Sequence, residues 1–131
     1  MVELHELPAL TQRELLTQGT ISPVELTEHY LERIDLLNPS VHALTTVTPE
    51  RALDRAPQLE DDSRDRGRPT RHESPLWGMP FADKDLNDRA GVTSTYGSRL
   101  TADYMAGESS PIVVDMDEAG GVSLGKTNVP E

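Results

Sequence analysis

The stretch Leu76-Trp77-Gly78-Met79-Pro80-Phe81-Ala82-Asp83-Lys84-Asp85 is where the character of this 131-residue chain changes. Its glycine and its proline favour a turn, and the residues that follow predict a short strand. Because side chains alternate along a strand, Asp83 and Asp85 share one face and Lys84 points to the other. An ordinary lysine, with a pKa of about 10.4, is almost fully protonated at pH 7, so a lysine base must be desolvated. Lys84 is therefore a candidate base, and the alternative is a surface lysine paired with a carboxylate.

The residues after this strand predict a helix and a second strand. Ser110-Pro111 is typical of a helix start, Gly120-Gly121 of its end, and Val122-Ser123-Leu124 of a short strand. Residues 120–127 also match the letters of a phosphate-binding loop, G-x-x-x-x-G-K-T. That loop needs a strand before it and a helix after it, and here the order is reversed. We therefore interpret the match as coincidence.

The N-terminal half predicts helices. Thr11-Gln12-Arg13-Glu14 and Ser22-Pro23-Val24-Glu25 both fit the capping-box pattern, and Asn38-Pro39 is expected to end the second helix. Residues 41–47 predict an extended segment, and Thr48-Pro49-Glu50 a third helix start. Alternating helices and strands indicate an α/β fold.

The order of these segments suggests one incomplete domain in three parts. Residues 1–59 are mainly helical, 60–75 form a polar loop, and 76–131 carry the lysine-bearing strand and helix. The loop prediction rests on composition, because this stretch has too few apolar residues to offset the entropy of ordering.

Composition excludes several classes of function. A net charge of −11 opposes binding to nucleic acid or to anionic membrane surfaces. With no cysteine and no metal-ligand spacing among the four histidines, we expect no metal site and no cofactor. The N-terminus does not resemble a signal peptide, and no stretch approaches the roughly 18 apolar residues of a membrane span, so a cytoplasmic location is expected.

Three blocks of sequence together resemble the amidase signature family. The first is Leu76-x-Gly78-x-Pro80-x-x-x-Lys84-Asp85, followed by Gly91-x-Thr93-x-Thr95-x-Gly97-Ser98. The second runs from Glu118 to Glu131 and contains Gly125-Lys126-Thr127-Asn128. The third is N-terminal and includes Ser22-Pro23-Val24-Glu25-Leu26. The resemblance covers nearly the whole chain except the polar stretch before Pro75.

The resemblance implies a fold, an activity and one site residue. The fold would be N-terminal helices followed by part of a mixed central sheet flanked by helices. The activity would be hydrolysis of carboxylic amides, in which a serine nucleophile and a cis-bonded serine relay a proton to a neutral lysine. By motif position that lysine is Lys84, whereas Lys126 receives no catalytic role. Both family serines lie past the last block, so we expect residues 1–131 alone to be inactive.

Departures from the family pattern keep other interpretations open. The position before the lysine is usually apolar in the family but is Asp83 here, and Asp117 and Gly121 also differ from the usual alanine-rich pattern. A buried Asp83 must find an arginine or backbone donors, or this copy is damaged. The alternatives are the amidase subunit of a glutamine-dependent aminoacyl-tRNA amidotransferase, which would work with a partner subunit, and a vestigial or binding module. The intact enzyme is expected to act on a small-molecule amide, either as a homodimer or with a partner subunit.

Overall fold

The computed structural model describes residues 2–130, which form four α-helices and one three-stranded sheet. The expected α/β class is confirmed. In chain order the elements are a 3₁₀ turn (Leu4–Glu6), α1 (Ala9–Gln18), α2 (Pro23–Val41), β1 (Leu44–Val47), α3 (Pro49–Arg66), β2 (Pro80–Lys84), a second 3₁₀ turn (Arg99–Thr101), α4 (Pro111–Glu118) and β3 (Val122–Thr127).

The sheet is mixed, with strand order β1-β3-β2. The last strand, β3, lies in the centre, antiparallel to β1 and parallel to β2. The parallel pair is joined by a crossover that contains α4, as parallel strands require. This topology brings the strand that ends at Lys84 beside the strand that ends at Thr127.

One extra residue interrupts the pairing of β3 with β2. Phe81 pairs with Ser123, but Asp83 pairs with Lys126, so three steps along β3 match two along β2. Gly125 permits this bulge, because its φ is +149° and a Cβ there would collide with the carbonyl oxygen of Thr46. Because a bulge shifts the alternation of side chains, Lys126 turns to the face that carries Ser123 and Asp83.

The apolar core lies between the helices and the sheet. Its buried members come from α1, α2 and α3, from the loop before β2 and from the first half of β3: Leu16, Leu26, Ala52, Ala56, Leu59, Trp77, Val122 and Leu124. Burying this surface is the main favourable contribution to folding. It fixes the helices on the sheet and leaves the far end of β3 to polar contacts.

The helix boundaries correct two predictions and confirm a third. The helix α1 begins at Ala9, so Thr11 lies in its first turn and does not cap it. The Ser22 capping box is confirmed by a 3.0 Å hydrogen bond from the Glu25 amide to the Ser22 hydroxyl. However, α2 continues past Pro39 to Val41 and ends at His42, whose φ is 50°. A proline late in a helix removes one donor without preventing the last turn.

The prediction of a polar loop over residues 60–75 is wrong for its first part. Helix α3 continues through Pro57 to Arg66, and non-helical chain begins at Gly67. Arg64 contacts Asp61 at 2.9 Å and Glu60 at 3.9 Å, which are i,i+3 and i,i+4 pairs on an exposed helix face. Such pairs and the buried Leu59 extend a helix that composition alone does not indicate.

Among residues 2–130, no helix has both the length and the apolar character needed to cross a membrane.

Candidate active site around Lys84

Lys84 is the last residue of β2, at the carboxyl end of the parallel β2–β3 pair. Ligands of open α/β sheets bind outside this end of parallel strands. The predicted alternation is confirmed, because Asp83 and Asp85 are buried and Lys84 is exposed. Within the described part of the chain, the Lys84 amine forms no hydrogen bond or salt bridge. The alternative of a surface lysine paired with a neighbouring carboxylate therefore has no support there.

A small cavity of about 120 Å³ opens beside Lys84. Its walls combine residues of β2 with one face of α4, namely Ile112, Val113 and Met116. Lys84 thus lines a largely apolar recess in which Asp83 is the other charged residue. In the described chain this recess is open, and Lys84 remains in contact with solvent.

Asp85 is fully buried and accepts a dense set of hydrogen bonds. The Thr95 amide donates to both carboxylate oxygens, at 3.1 and 3.2 Å, and the Thr95 hydroxyl donates as well. The Thr45 hydroxyl donates at 3.3 Å. Lys126 completes the set, with its Nζ 3.5 Å from Oδ1 of Asp85. These donors satisfy a charge that would otherwise be costly to bury.

Lys126 is the buried lysine of this chain, with no exposed side-chain surface. Besides Asp85, its Nζ donates to the Asn87 carbonyl at 2.5 Å and to the Ser94 hydroxyl at 2.9 Å. All three partners lie in the segment that follows Lys84. The match to a phosphate-binding loop is a coincidence in structural terms too, because residues 122–127 form a strand and the lysine has no room for phosphate.

Asp83 is compensated by an arginine. The Arg89 guanidinium donates to both Asp83 oxygens, from Nε at 2.6 Å and from a terminal nitrogen at 3.2 Å, and Ser123 adds a bond at 2.9 Å. Arg89 also holds Asp117 through two bonds of 2.7 and 3.0 Å. The structure thus supports a compensated Asp83 over a damaged one, and it links two of the three departures from the family pattern.

The carboxylates of Asp83 and Asp117 set the direction in which the pKa of Arg89 is shifted. Burial lowers the pKa of its guanidinium, but the hydrogen bonds and negative charges of Asp83 and Asp117 outweigh burial and raise that pKa above its ordinary value. A cavity of about 370 Å³ adjoins this cluster, and Arg51, Arg55 and Glu118 are among its lining residues. Since Arg89 is already bound by two acids, it is not free to bind an anion.

Gly121, the third departure, is explained by Phe81. A Cβ at Gly121 would lie 2.6 Å from the Phe81 ring, so any larger residue would displace that ring. The ring in turn lies 5.7 Å from the Arg89 guanidinium, within range of a cation–π contact. All three unusual positions therefore surround one arginine.

A histidine pair joins the first 3₁₀ turn to α2. Nδ1 of His5 and Nε2 of His29 are 3.0 Å apart, and Glu3 brings a carboxylate oxygen within 4.8 Å of both rings. Sequence spacing gave no sign of this contact, since 24 positions separate the two histidines and only the fold brings them together. One ring donates to the other, and which ring is the donor depends on the tautomers of the two histidines.

Comparisons with known proteins place the whole chain in one family. The Amidase family model matches residues 25–131, which include most of α2 and all three strands. The chain belongs to the amidase signature family. The family assignment covers more than half of the chain, and it confirms the resemblance carried by the lysine-bearing motif.

Amidase-signature relatives and structures match the chain along nearly all of its length. It is 37% identical over 131 residues to a subunit of the glutamyl-tRNA(Gln) amidotransferase of Acinetobacter baumannii, covering 100% of this chain and 26% of that protein. The native peptide amidase of Stenotrophomonas maltophilia superposes with a TM-score of 0.78 and 31% identity over 89% of this chain and 23% of its own. A chain from a vestigial protein complex that reveals the evolutionary origins of an s-triazine catabolic enzyme superposes with a TM-score of 0.86. It is 31% identical, and the match covers 95% of this chain and 27% of its own.

The amidase-signature chain therefore spans about a quarter of the length of the curated relatives it matches. The expected partial fold of this family, with helices followed by part of a mixed sheet, is confirmed.

Sequence reasoning identified Lys84 and Asp83 but missed Arg89, Asp85 and Lys126 as a set. The available signal was the rarity of lysine: only Lys84 and Lys126 occur beside ten arginines, and both lie in family motifs. Their different surroundings follow from the position of β3 in the sheet, which no local pattern reveals.

Proposed function

We propose that this chain supplies the lysine-bearing part of an amidase that hydrolyses carboxylic amides, with Lys84 as the general base. The observation that carries the proposal is the position of Lys84. It is the last residue of β2, its amine has no partner among residues 2–130, and it faces a recess at the carboxyl end of the parallel strands. An unpaired amine at that edge is available to accept a proton from a hydroxyl group brought there by another part of the domain.

The chemistry requires a neutral amine and therefore the exclusion of water. In the described chain Lys84 is exposed, so the covering wall and the two serines that the family mechanism uses would come from outside residues 2–130. Once covered, the amine would lose the hydration that favours its charged form. It could then take the proton that the nucleophilic serine releases through the second serine, as the resemblance implies.

A hybrid enzyme tests the proposal. The matching quarter of the Acinetobacter baumannii relative is replaced by residues 1–131, and hydrolysis of a simple amide is followed by amine or ammonia release. We expect the hybrid to turn over. Lys84→Ala is expected to lower kcat by about 10²–10⁴-fold, the usual contribution of a general base.

Two controls make the test specific. Lys84→Arg keeps the positive charge but cannot act as a base near pH 7, so it should fail like Lys84→Ala. Arg64→Ala changes an exposed cation of α3 and should leave kcat unchanged. Turnover that survives in both Lys84 variants would contradict the proposal, as would a folded hybrid without amidase activity. Residues 1–131 alone should show no turnover.

A second candidate is the amidase subunit of a glutamine-dependent aminoacyl-tRNA amidotransferase. The 37% identity to such a protein over all 131 residues favours it. This candidate predicts that the hybrid releases ammonia from glutamine and that the protein co-purifies with a partner subunit. Hydrolysis of aryl or peptide amides without a partner would favour a free-standing amidase instead.

A further inference from the structure

Among residues 2–130, the ammonium of the buried Lys126 bonds only to groups that follow Lys84 in the chain. Its ammonium lies 3.5 Å from the Asp85 carboxylate and donates to the Asn87 carbonyl and to the Ser94 hydroxyl. Neither Lys126 nor Asp85 exposes any side-chain surface. One cation thus holds both the residue next to Lys84 and the turn that comes after it.

The backbone of this turn connects those contacts to Lys84 itself. The Asn87 amide donates to the Lys84 carbonyl at 2.9 Å, and the Asp85 amide donates to the Thr127 carbonyl at 3.0 Å. The carbonyl and the following peptide of Lys84 are therefore held on one side by β3 and on the other by the turn. Lys126 binds both ends of that arrangement.

Two further segments bind Asp85. Thr95 donates its amide and its hydroxyl to the Asp85 carboxylate, and Thr45 of β1 donates its hydroxyl. With Lys126 of β3, three separate regions of the chain therefore meet at the carboxylate of the residue that follows Lys84. Such a fully satisfied polar cluster imposes a specific geometry on the groups around it.

Space filling alone does not account for this pair. Replacing a buried ion pair with apolar residues of similar volume is often neutral or stabilising, so a core needs no charge at this place. The Gly125 bulge also turns Lys126 away from the apolar side of β3 and towards Asp85. The pair instead fixes the positions of the groups around it, since its bonds reach defined atoms in β3 and in the turn after Lys84.

We propose that Lys126 and Asp85 are positioning residues that hold Lys84 at the carboxyl end of β2 in the orientation its base function requires. This inference rests on the proposed function and assigns a role to two groups that need not touch the substrate. Lys126 acts through the turn and Asp85 through the strand, so loss of either should change the environment of Lys84.

The lysine content of the chain offers a direct measurement. With ¹⁵N-lysine labelling, residues 1–131 give backbone amide signals only from Lys84 and Lys126. In Lys126→Met the remaining signal belongs to Lys84 without further assignment. Hydrogen exchange at the amides of Asp85 and Asn87 reports the two bonds that flank it.

We expect Lys126→Met and Asp85→Asn to shift the Lys84 amide signal and to speed exchange at Asp85 and Asn87 by at least about tenfold relative to α2. Thr95→Val, which removes one hydroxyl bond to Asp85, should act in the same direction with a smaller shift. The matched control is Arg13→Met, which removes another buried cation whose bonds go to Pro69 and Ser74. It should lower Tm without moving the Lys84 signal.

An unchanged Lys84 signal with unchanged exchange in Asp85→Asn and Thr95→Val would overturn the inference, as would an equal response in Arg13→Met. If Lys126→Met does not fold, the two milder variants decide. The measurement needs no turnover. A failure here is therefore distinct from a failure of the proposed function, which is read from Lys84→Ala in the hybrid.

Discussion

The two halves of β3 are buried in opposite ways. Its first half, with Val122 and Leu124, packs in the apolar layer formed with α1, α2 and α3. Its second half contributes Lys126 to the ionic layer, which we define as Asp83, Asp85, Arg89, Asp117 and Lys126. An apolar layer loses stability gradually as atoms are removed. An ionic layer loses it abruptly, because removing one partner leaves a buried charge unpaired.

The largest expected effect is in the ionic layer. Lys126→Met should lower the free energy of unfolding by about 3–5 kcal/mol, because it leaves Asp85 buried without its cation. Urea denaturation followed by circular dichroism measures the change. The double variant Lys126→Met/Asp85→Asn should lose less than the sum of the single variants. Additive losses would show that the two side chains do not act as a pair.

A matched truncation in the apolar layer should cost somewhat less. Leu26→Ala removes a fully buried side chain of α2 and is expected to cost about 3 kcal/mol through lost burial and an unfilled cavity. The same denaturation experiment applies. A loss below about 1 kcal/mol would mean that the helices are not held by this core.

The buried pair of Arg89 and Asp83 tests the difference between the ionic and apolar layers further, because both side chains can be replaced by apolar ones together. Arg89→Met alone leaves Asp83 buried and should be clearly destabilising. Adding Asp83→Leu removes the orphaned charge and restores an apolar residue before Lys84, so the double variant should recover about 1–3 kcal/mol. A double variant no more stable than Arg89→Met would contradict the compensation that links Asp83 to Arg89.

An exposed ion pair provides the opposite extreme. Arg64 contacts Asp61 and Glu60 on the surface of α3, where its side chain is 70% exposed. Arg64→Ala should change the free energy of unfolding by less than about 0.5 kcal/mol, because solvent screens such pairs. A greater loss would show that residues 60–66 depend on this arginine to remain helical.

The smallest expected effect is on the ionisation of the Tyr96 hydroxyl. The Tyr96 hydroxyl donates to Asp88 at 2.5 Å, and this hydrogen bond, with smaller effects of burial and nearby charge, raises the pKa of Tyr96 to about 12. Its contribution to stability is present below about pH 10 and is lost as the pH rises through about 12. Asp88→Asn should return the phenol pKa towards about 10, measured by phenolate absorbance. An unchanged titration would exclude this bond.

The sequence predicted most of what is local. Ser22 and Glu25 identify a helix start by their own chemistry, and alternation around Lys84 correctly separates it from its two aspartates. The end of α3 could not be predicted from composition, because i,i+3 and i,i+4 contacts stabilise residues whose composition alone suggests disorder. Local residue chemistry and periodicity therefore predict features within one helix or strand, but not the contacts between elements.

What could not be predicted depends on long-range topology. That Lys126 is buried follows from β3 lying between β1 and β2, which requires pairing between strands far apart in the chain. That Asp83 meets Arg89 depends on the path of the turn after β2, and that Arg89 also meets Asp117 depends on where α4 returns. For Asp83 the kind of partner was predicted, as an arginine or backbone donors, whereas the contacts of Lys126 and Asp117 were not.

The surplus residue at Gly125 has a consequence for how this strand tolerates change. If that bulge were lost and β3 alternated strictly over all six residues, Lys126 would face the same side as Val122 and Leu124, and its ammonium would enter the apolar layer beneath the helices. Asp85 would then lose its cation, so the surroundings of two charges would change at once. The backbone conformation of Gly125 therefore matters to the burial of Lys126 as much as the side chains that bind its ammonium.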